Sequence, residues 1–246
     1  MMRKRKFARG EQPTDLSCVN LEDFDDPFDA FYWFGYYGGL KSTKHAPTEQ
    51  SSKPLCEIAH FCVFDTETSG LSRNDCAVQT AIGFFDEDGR KLGFYDRFWK
   101  LPKGVKISQG SYAIHKISTI RINKEGCEAA PELRKVMKIM KRMLARGKRI
   151  VAHNAAFDCR ILAQTARSHG VNEWNLCTED VFCTMRHAKP FCNLVSNATG
   201  KPKAPSNAEL YKFLTGSSPV GALHNALVDI KVTAKSYVEG RKRNWW

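Results

Sequence analysis

The sequence predicts an α/β protein in which a mixed sheet carries helices on both faces. Three strand-like runs follow one another closely from residue 58 onward, which is typical of an antiparallel meander. Helix-like and strand-like segments then alternate, which is typical of parallel strands joined by crossover helices. The expected order is β-β-β-α-β-α-β-α-α.

The meander is predicted from apolar runs that are separated by turn residues. Residues 58–65 and 78–85 have the composition of buried strands, and residues 91–101 are expected to form a third. The segment Asp86-Glu87-Asp88-Gly89 predicts a tight turn between the last two. Short connections of this kind imply antiparallel pairing.

The first long helix is expected to begin near Pro131 and to end near Gly147. Its apolar residues recur at the i, i+3, i+4 spacing of a buried helical face, while its other face carries Arg and Lys. A basic face is usually only solvated, and contact with phosphate groups is the second interpretation. The apolar positions are Leu133, Val136, Met137, Met140, Met143 and Leu144.

The later elements are predicted from capping residues and short apolar runs. Asn154 is a good N-cap, so a helix is expected from there to about residue 169. The other expected elements are strands at 149–153 and 180–183 and helices at 206–214 and 225–239.

The first 57 residues differ in composition from the rest. We expect them to form a partly disordered N-terminal extension ahead of a domain at 58–240 and a short basic and aromatic tail at 241–246. Residues 28–37 are too aromatic for an inert linker. This aromatic segment is expected to pack on its own domain or on a partner protein.

The charge of the chain favours a polyanionic partner. It has 38 Lys and Arg against 26 Asp and Glu, a formal charge of +12, and residues 58–246 hold 30 of the basic and 17 of the acidic residues. Nucleic acid is therefore the expected partner. A positive surface that only aids solubility is the alternative.

The cysteines and the hydropathy predict the environment of the protein. The nine cysteines are odd in number and no pair has the two-residue spacing of common zinc sites, so reduced thiols are expected. The sequence has no signal-like apolar region at its start and no apolar run long enough to cross a bilayer. We expect an intracellular, soluble protein, in the cytoplasm or the nucleus.

Two carboxylates stand at the end of the first predicted strand. Asp65 and Glu67 are two residues apart, so their side chains project from the same face of an extended strand. Two like charges this close are unfavourable unless a cation neutralises them. Hard oxygen ligands favour Mg²⁺ or Mn²⁺. Solvated acids in a turn are the ordinary alternative.

Two further acids lie near predicted helix starts. Asp158 ends the segment His153-Asn154-Ala155-Ala156-Phe157-Asp158, and Asp229 follows His224 by five residues. Alone, each acid is most simply explained as stabilising its helix dipole. Together with Asp65 and Glu67, they form an ordered set of acids at element edges.

This set resembles the motifs of the DnaQ-like 3′-5′ exonuclease family, in its DEDDh branch. Residues 65–71 resemble the first motif of that family, residues 79–83 its second strand, residues 113–118 its loop before the basic helix, and residues 180–185 the segment before its later helices. The resemblance covers about residues 60–240. It implies a ribonuclease H-like fold with a mixed five-stranded sheet and the first motif on its central strand.

The resemblance also implies two divalent cations, Mg²⁺ or Mn²⁺, held by Asp65, Glu67, Asp158 and Asp229. Two cations suit phosphodiester cleavage, because one lowers the pKa of the attacking water and the other stabilises the departing 3′-oxygen. The predicted activity is removal of 5′-mononucleotides from the 3′ ends of DNA or RNA, with single-stranded ends as the expected substrate.

His224 is the candidate general base, because imidazole titrates near neutral pH. Five residues of an ideal helix turn through about 500°, which leaves His224 and Asp229 roughly 140° apart, on different faces. We therefore expect His224 to precede the last helix in a mobile loop that includes residues 216–221. The five-residue interval favours the His branch of the family over its Tyr branch.

The resemblance assigns substrate contacts less directly. Each of the assigned residues also has an ordinary role, as a turn residue, a core residue or a helix cap. An apolar or aromatic side chain in such a site grips a base without reading sequence. The expected substrate-binding residues are Thr66, Thr68, Leu71, His115, Asn154 and Phe157.

Three alternatives stay open on the sequence alone. One is a nucleic-acid-binding module that kept the fold and lost catalysis, which the presence of all four acids and His224 disfavours. A second is a proofreading or other polymerase-associated module, docked through the aromatic segment at 28–37. A third is an exoribonuclease that trims RNA.

Overall fold

A computed structural model describes residues 55–221 and 224–246 of the chain. The aromatic segment at 28–37 lies outside these residues. The described part contains a five-stranded sheet with the strand order β3-β2-β1-β4-β5. The strands are β1 Phe61–Thr68, β2 Ala77–Phe85, β3 Lys91–Phe98, β4 Arg149–Ala152 and β5 Val181–Cys183.

The pairing of the strands confirms the predicted mixed sheet. Strand β1 pairs with β2, and β2 with β3, in antiparallel fashion, whereas β1–β4 and β4–β5 are parallel. Strand β1, which carries Asp65 and Glu67, is the central strand of the sheet.

Helices cover both faces of the sheet. Within β1, Cys62 and Phe64 belong to a core cluster shared with α3 and α4, while Phe61 and Val63 belong to a second cluster shared with α7. Because both faces of the strand are buried, its first four residues, 61–64, are all apolar. The helices are α1 Gln109–His115, α2 Thr119–Glu125, α3 Ala129–Ala145, α4 Ala155–Ser168, α5 Thr184–Cys192, α6 Asn207–Thr215 and α7 Ala226–Lys242.

The expected element order was wrong in omitting three short helices. Helix α1 includes part of the segment expected to be a loop, and α2 follows at once. Each has only seven residues, too few to establish a helical apolar period. Their serine caps were the available signal, since the Ser108 and Ser118 hydroxyls accept from Ser111 N–H and Arg121 N–H.

Helix α5 was missed because it contains a proline. Pro190 lies near its C-terminal end, where the sequence would ordinarily predict a break. Its N-cap, Cys183, is also the last residue of β5, so helix and strand follow without a loop.

The end of the chain packs onto the domain. Helix α7 continues to Lys242, and Trp246 lies across Gly240 and donates its Nε1–H to the Tyr237 carbonyl at 3.0 Å. No helix in the described ranges is both long and apolar enough to cross a membrane. The eight cysteines there are free thiols.

Candidate active site

Three carboxylates converge beside the central strand. Oxygens of Asp65, Glu67 and Asp229 all lie within 4.8 Å of one another. The strand alternation explains this meeting, because residues 61, 63, 65 and 67 project toward α7, and Asp229 lies in the first turn of that helix. The apolar members of the series fix α7 against the sheet, and the acidic members then face Asp229.

Asp158 reaches the site from the opposite side of β1. It lies in the first turn of α4, which packs on the other face of the sheet, and it is 2% exposed. Its Oδ1 accepts hydrogen bonds from the backbone N–H of Thr66 at 3.1 Å and from the Thr66 hydroxyl at 2.8 Å. Asp158 is therefore tied to β1 and lies outside the close group of three.

Burial and mutual repulsion both disfavour the ionised form of these carboxylates. Burial and the neighbouring negative charges raise the pKa of Asp65 well above its usual value and that of Glu67 to about 8. Burial also raises the pKa of Asp158 to about 7, against the opposing effect of the Thr66 hydrogen bonds. Such a cluster is stable as anions only beside positive charge.

The chain itself supplies no such charge among the described residues. No Lys or Arg there lies within 4.0 Å of any of these four carboxylates. Three hard oxygen donors, gathered in one place without a cationic side chain, suit a divalent cation such as Mg²⁺ or Mn²⁺. The residues present therefore fit the metal that the sequence predicts.

Asp229 is positioned by residues around the start of α7. The Asn225 side chain caps the helix by accepting from Leu227 N–H. Asn207, at the start of α6, directs its Nδ2 at the carbonyl and at Oδ1 of Asp229, at 3.3 and 3.4 Å. The Thr233 hydroxyl donates to Asn207 Oδ1 at 3.2 Å and so orients the amide.

The sequence did not predict this role for Asn207. Its one signal is the Ser206 and Glu209 capping box, in which each side chain accepts from the other residue's backbone N–H. That pattern locates the start of α6 but says nothing of the contact with Asp229, which is 22 residues away.

His224 precedes α7, as predicted. It is exposed, adopts a left-handed backbone with φ of 68°, and donates its backbone N–H to Asp229 Oδ2 at 2.8 Å. This bond fixes the backbone beside the carboxylates while leaving the imidazole free to face solvent.

His115 lies beside the end of β1, with both ring nitrogens engaged. Nδ1 accepts from Ile117 N–H at 3.0 Å, so Nε2 carries the proton that is donated to the Thr68 carbonyl at 3.0 Å. Burial lowers the pKa of His115, against the opposing effect of its hydrogen bond to the Thr68 carbonyl. His115 is thus a neutral link between β1 and α1.

His153 links three elements behind the site. Its Nε2 lies 3.1 Å from the Pro205 carbonyl, and its Nδ1 lies 3.0 Å from the Thr184 hydroxyl. Burial lowers its pKa to about 4, so the ring is neutral at pH 7, with Nε2 as the donor and Nδ1 as the acceptor. It joins the end of β4 to α5 and to the segment before Asn207.

Asn154 occupies the N-cap position of α4, as predicted. Its backbone is left-handed, with φ of 69°, and its side chain makes no capping hydrogen bond. Asn tolerates this conformation better than most residues. Its carbonyl accepts from Phe157 N–H at 2.8 Å and begins the helix.

The other expected substrate-binding residues differ in how far their side chains are exposed to solvent. The hydroxyls of Thr66 and Thr68 are buried and donate to Asp158 and to the Gly70 carbonyl. Leu71 is 75% exposed, which excludes a core role. Phe157 is partly buried against the core, with the Arg160 guanidinium 5.2 Å from its ring centroid.

The strand order and the acids at the end of the central strand define a domain of the ribonuclease H-like superfamily, with DnaQ-like motifs. Residues 62–237 match the model of the RNase T family, which is described as an exonuclease family. This match spans well over half of the chain. The chain therefore belongs to that exonuclease family.

Solved structures share the fold at low sequence identity. Exonuclease I from Methylocaldum szegediense matches with a TM-score of 0.59 and 17% identity over 74% of this chain and 40% of its own. E. coli exonuclease I in complex with a dA16 oligonucleotide gives 0.58 and 15%, over 74% and 41%. A 3′-exonuclease described for 3′-end specific recognition of a histone mRNA stem-loop gives 0.58 and 12%, over 76% and 83%.

These identities indicate a common fold and no more. The chain spans about 40% of the length of the exonuclease I structures that it matches. No curated protein matches the sequence significantly.

Proposed function

We propose that this protein is a metal-dependent 3′-5′ exonuclease of the DEDDh type, which hydrolyses terminal phosphodiester bonds of DNA or RNA and releases 5′-mononucleotides. The observation that carries this proposal is the group formed by Asp65, Glu67 and Asp229, whose oxygens lie within 4.8 Å of one another. Because the chain belongs to an exonuclease family, a metal site formed by these acids would serve phosphodiester hydrolysis.

The acids have distinct roles in this proposal. Asp65, Glu67 and Asp229 bind divalent cation directly, and Asp158, held by Thr66, completes the site from the α4 side. When bound, two Mg²⁺ or Mn²⁺ ions would supply an activated water and stabilise the leaving 3′-oxygen. Asn207 and the backbone N–H of His224 keep the Asp229 carboxylate in place.

His224 acts as the general base. Its imidazole is exposed next to Asp229, from where it can accept a proton from the attacking water. His115 and His153 are poor candidates for this role, because their ring nitrogens already bond within the chain. In this proposal, Leu71 and Phe157 contact the terminal nucleotide.

The activity can be tested with 5′-labelled oligonucleotides and Mg²⁺. The protein should shorten single-stranded substrates one nucleotide at a time from the 3′ end, and a 3′-blocked strand should resist cleavage. Parallel DNA, RNA, duplex and mismatched-duplex substrates would identify the preferred nucleic acid. Internal cleavage of the blocked strand, or full activity of Asp65→Asn, would refute the proposal.

A further inference from the structure

A basic pocket lies between α4 and the loop that follows β1. Its volume is about 580 Å³, and it is lined by Arg73, Asn74, Arg160, Gln164, Arg167 and Ser168. Three of the six lining residues are arginines and none is acidic. The chemistry proposed for the carboxylate site uses none of the six.

The three arginines have no carboxylate partner. Within residues 55–221 and 224–246, no Asp or Glu oxygen lies within 4.0 Å of these guanidinium groups, whereas Arg121 and Arg134 each pair with a Glu. Three gathered positive charges repel one another, so the pocket favours an anion.

Asp75 lies near the pocket and offsets only part of its positive charge. Its Oδ1 accepts from the Ser69 hydroxyl at 2.7 Å and its Oδ2 from Ser72 N–H at 2.7 Å. Burial acts to raise the pKa of Asp75, but those hydrogen bonds and the charge of Arg160 outweigh it and hold the pKa below its usual value. One anion beside three cations still leaves the pocket positive.

The pocket is held in shape by Gln164, which is 5% exposed. Its Nε2 donates to the carbonyls of Ser72 and Asp75 at 3.1 and 3.0 Å, so the loop is tied to α4. Its Oε1 accepts from an Arg160 guanidinium N–H at 2.7 Å. Arg160 is therefore oriented before any ligand arrives, which reduces the entropic cost of binding.

The pocket continues from the proposed nucleotide site. Phe157, Arg160, Gln164 and Arg167 follow the i, i+3, i+7, i+10 positions of one helical face. Ten residues of helix extend about 15 Å, so this face reaches from the residue beside Asp158 to well outside the carboxylate site.

We propose that this pocket binds phosphate groups of the substrate strand upstream of its terminal nucleotide. The guanidinium fork matches the geometry of phosphate oxygens, and an unpaired arginine cluster suits a polyanionic backbone without reading its bases. This inference rests on the proposed function, because it takes Phe157 to mark the 3′ end of the strand.

The test compares two charge-matched double variants of the full chain. Arg73→Gln/Arg167→Gln removes two pocket charges that have no hydrogen-bond partner in the described ranges, so folding should be preserved. Lys141→Gln/Lys212→Gln removes two exposed charges from α3 and α6 and is the control. Binding of a fluorescein-labelled 12-nucleotide single strand is measured in EDTA at several NaCl concentrations.

The pocket variant should bind the 12-mer roughly 10-fold more weakly, and its log–log salt slope should be shallower by about 1.4, or about 0.7 for each lost phosphate contact. The control should retain the affinity of the wild type. An unchanged affinity and slope in the pocket variant, or an equal loss in the control, would overturn the inference.

A small substrate separates this inference from the proposed function. The p-nitrophenyl ester of thymidine 5′-monophosphate is too short to reach Arg167. With Mn²⁺, the ratio of kcat/KM for the 12-mer to kcat/KM for the ester should fall about 10-fold in the pocket variant. If the wild type cleaves neither substrate, the proposed function fails, and the binding measurement in EDTA still decides whether the pocket holds phosphate.

Discussion

Thr66 donates both its backbone N–H and its hydroxyl to one oxygen of Asp158, and so joins the central strand to helix α4. This bond is important because the side chains of β1 alternate between the two faces of the sheet. Asp65 and Glu67 face α7, which carries Asp229, whereas Thr66 between them faces α4, which carries Asp158. Residues 65–67 therefore bring together acids from both faces of the sheet. Thr66 is therefore a positioning residue in the proposed site.

Thr66→Val should lower kcat by roughly 10-fold, because it keeps the backbone N–H and the side-chain shape but removes the hydroxyl that orients Asp158. Thr66→Ser, which retains the hydroxyl, should stay close to the wild type. Steady-state rates with an oligonucleotide substrate would test this difference. Equal rates for the Val and Ser variants would exclude the positioning role.

Asn207→Ala should weaken Mn²⁺ binding or lower kcat by roughly 10-fold, since Asp229 then loses its amide partner. We expect this loss to come from the missing contact with Asp229 and not from a general disturbance of helix α6. Asn123→Ala, at an exposed position of α2, is the control. Calorimetric Mn²⁺ titration and kinetics should show the loss in the first variant alone.

His224→Ala should lower kcat by roughly 100-fold or more, because the attacking water loses its proton acceptor. The carboxylates remain, so Mn²⁺ affinity should be kept. His60→Ala removes an exposed histidine at the start of the domain and should have no effect. Rates that match the wild type across a pH series would reject His224 as the base.

Mn²⁺ should raise the Tm of the wild type, because it neutralises the clustered carboxylates. At a hundred times its Kd, a ligand stabilises by about 2.7 kcal/mol, which corresponds to roughly 5–10 °C for a domain of this size. Asp65→Asn should lose most of this shift, and without metal it should be at least as stable as the wild type, since one repelling charge is gone. Asp88→Asn, in the exposed turn after β2, is the matched control. A full Mn²⁺ shift in Asp65→Asn would place the metal elsewhere.

As the pH drops from about 6.5 toward 4, His153 should lower the stability of the protein, whereas the metal-site carboxylates, whose pKa values are raised, should act in the opposite direction. The folded chain holds this imidazole neutral down to a pKa of about 4, whereas the unfolded chain takes up its proton near the ordinary value of about 6.5. Protons bound only by the unfolded state favour unfolding, at a cost on the order of 3 kcal/mol over that interval.

Urea unfolding of His153→Gln as a function of pH would measure this contribution. The variant should be less stable at pH 7, because its bonds to Thr184 and Pro205 are altered, but it should gain stability relative to the wild type as the pH drops from 6.5 to 4. His60→Gln should keep the slope of the wild type. An unchanged slope in His153→Gln would contradict the assignment.

The fold was predictable where periodicity is long or burial complete. The apolar run of β1 and the helical spacing from Leu133 to Met143 both identify their elements correctly. The short helices α1, α2 and α5 were not predicted, because seven to nine residues give too little period and Pro190 argues against a helix.

The candidate site was predictable to the extent that it depends on local spacing. The Asp65 and Glu67 pair and the position of His224 before α7 both follow from distances along the chain. The bonds of Thr66 to Asp158 and of Asn207 to Asp229 join residues that are 92 and 22 positions apart. Such contacts depend on how elements pack, so single-sequence patterns do not contain them.

The third carboxylate of the proposed metal group is carried by α7, the last helix of the described domain. Proteins are synthesised from the N-terminus, so β1 and α4 leave the ribosome well before Asp229 does. A nascent chain therefore holds only an incomplete metal group until α7 has been synthesised. The order of the elements delays the assembly of the proposed site until translation of the domain is nearly complete.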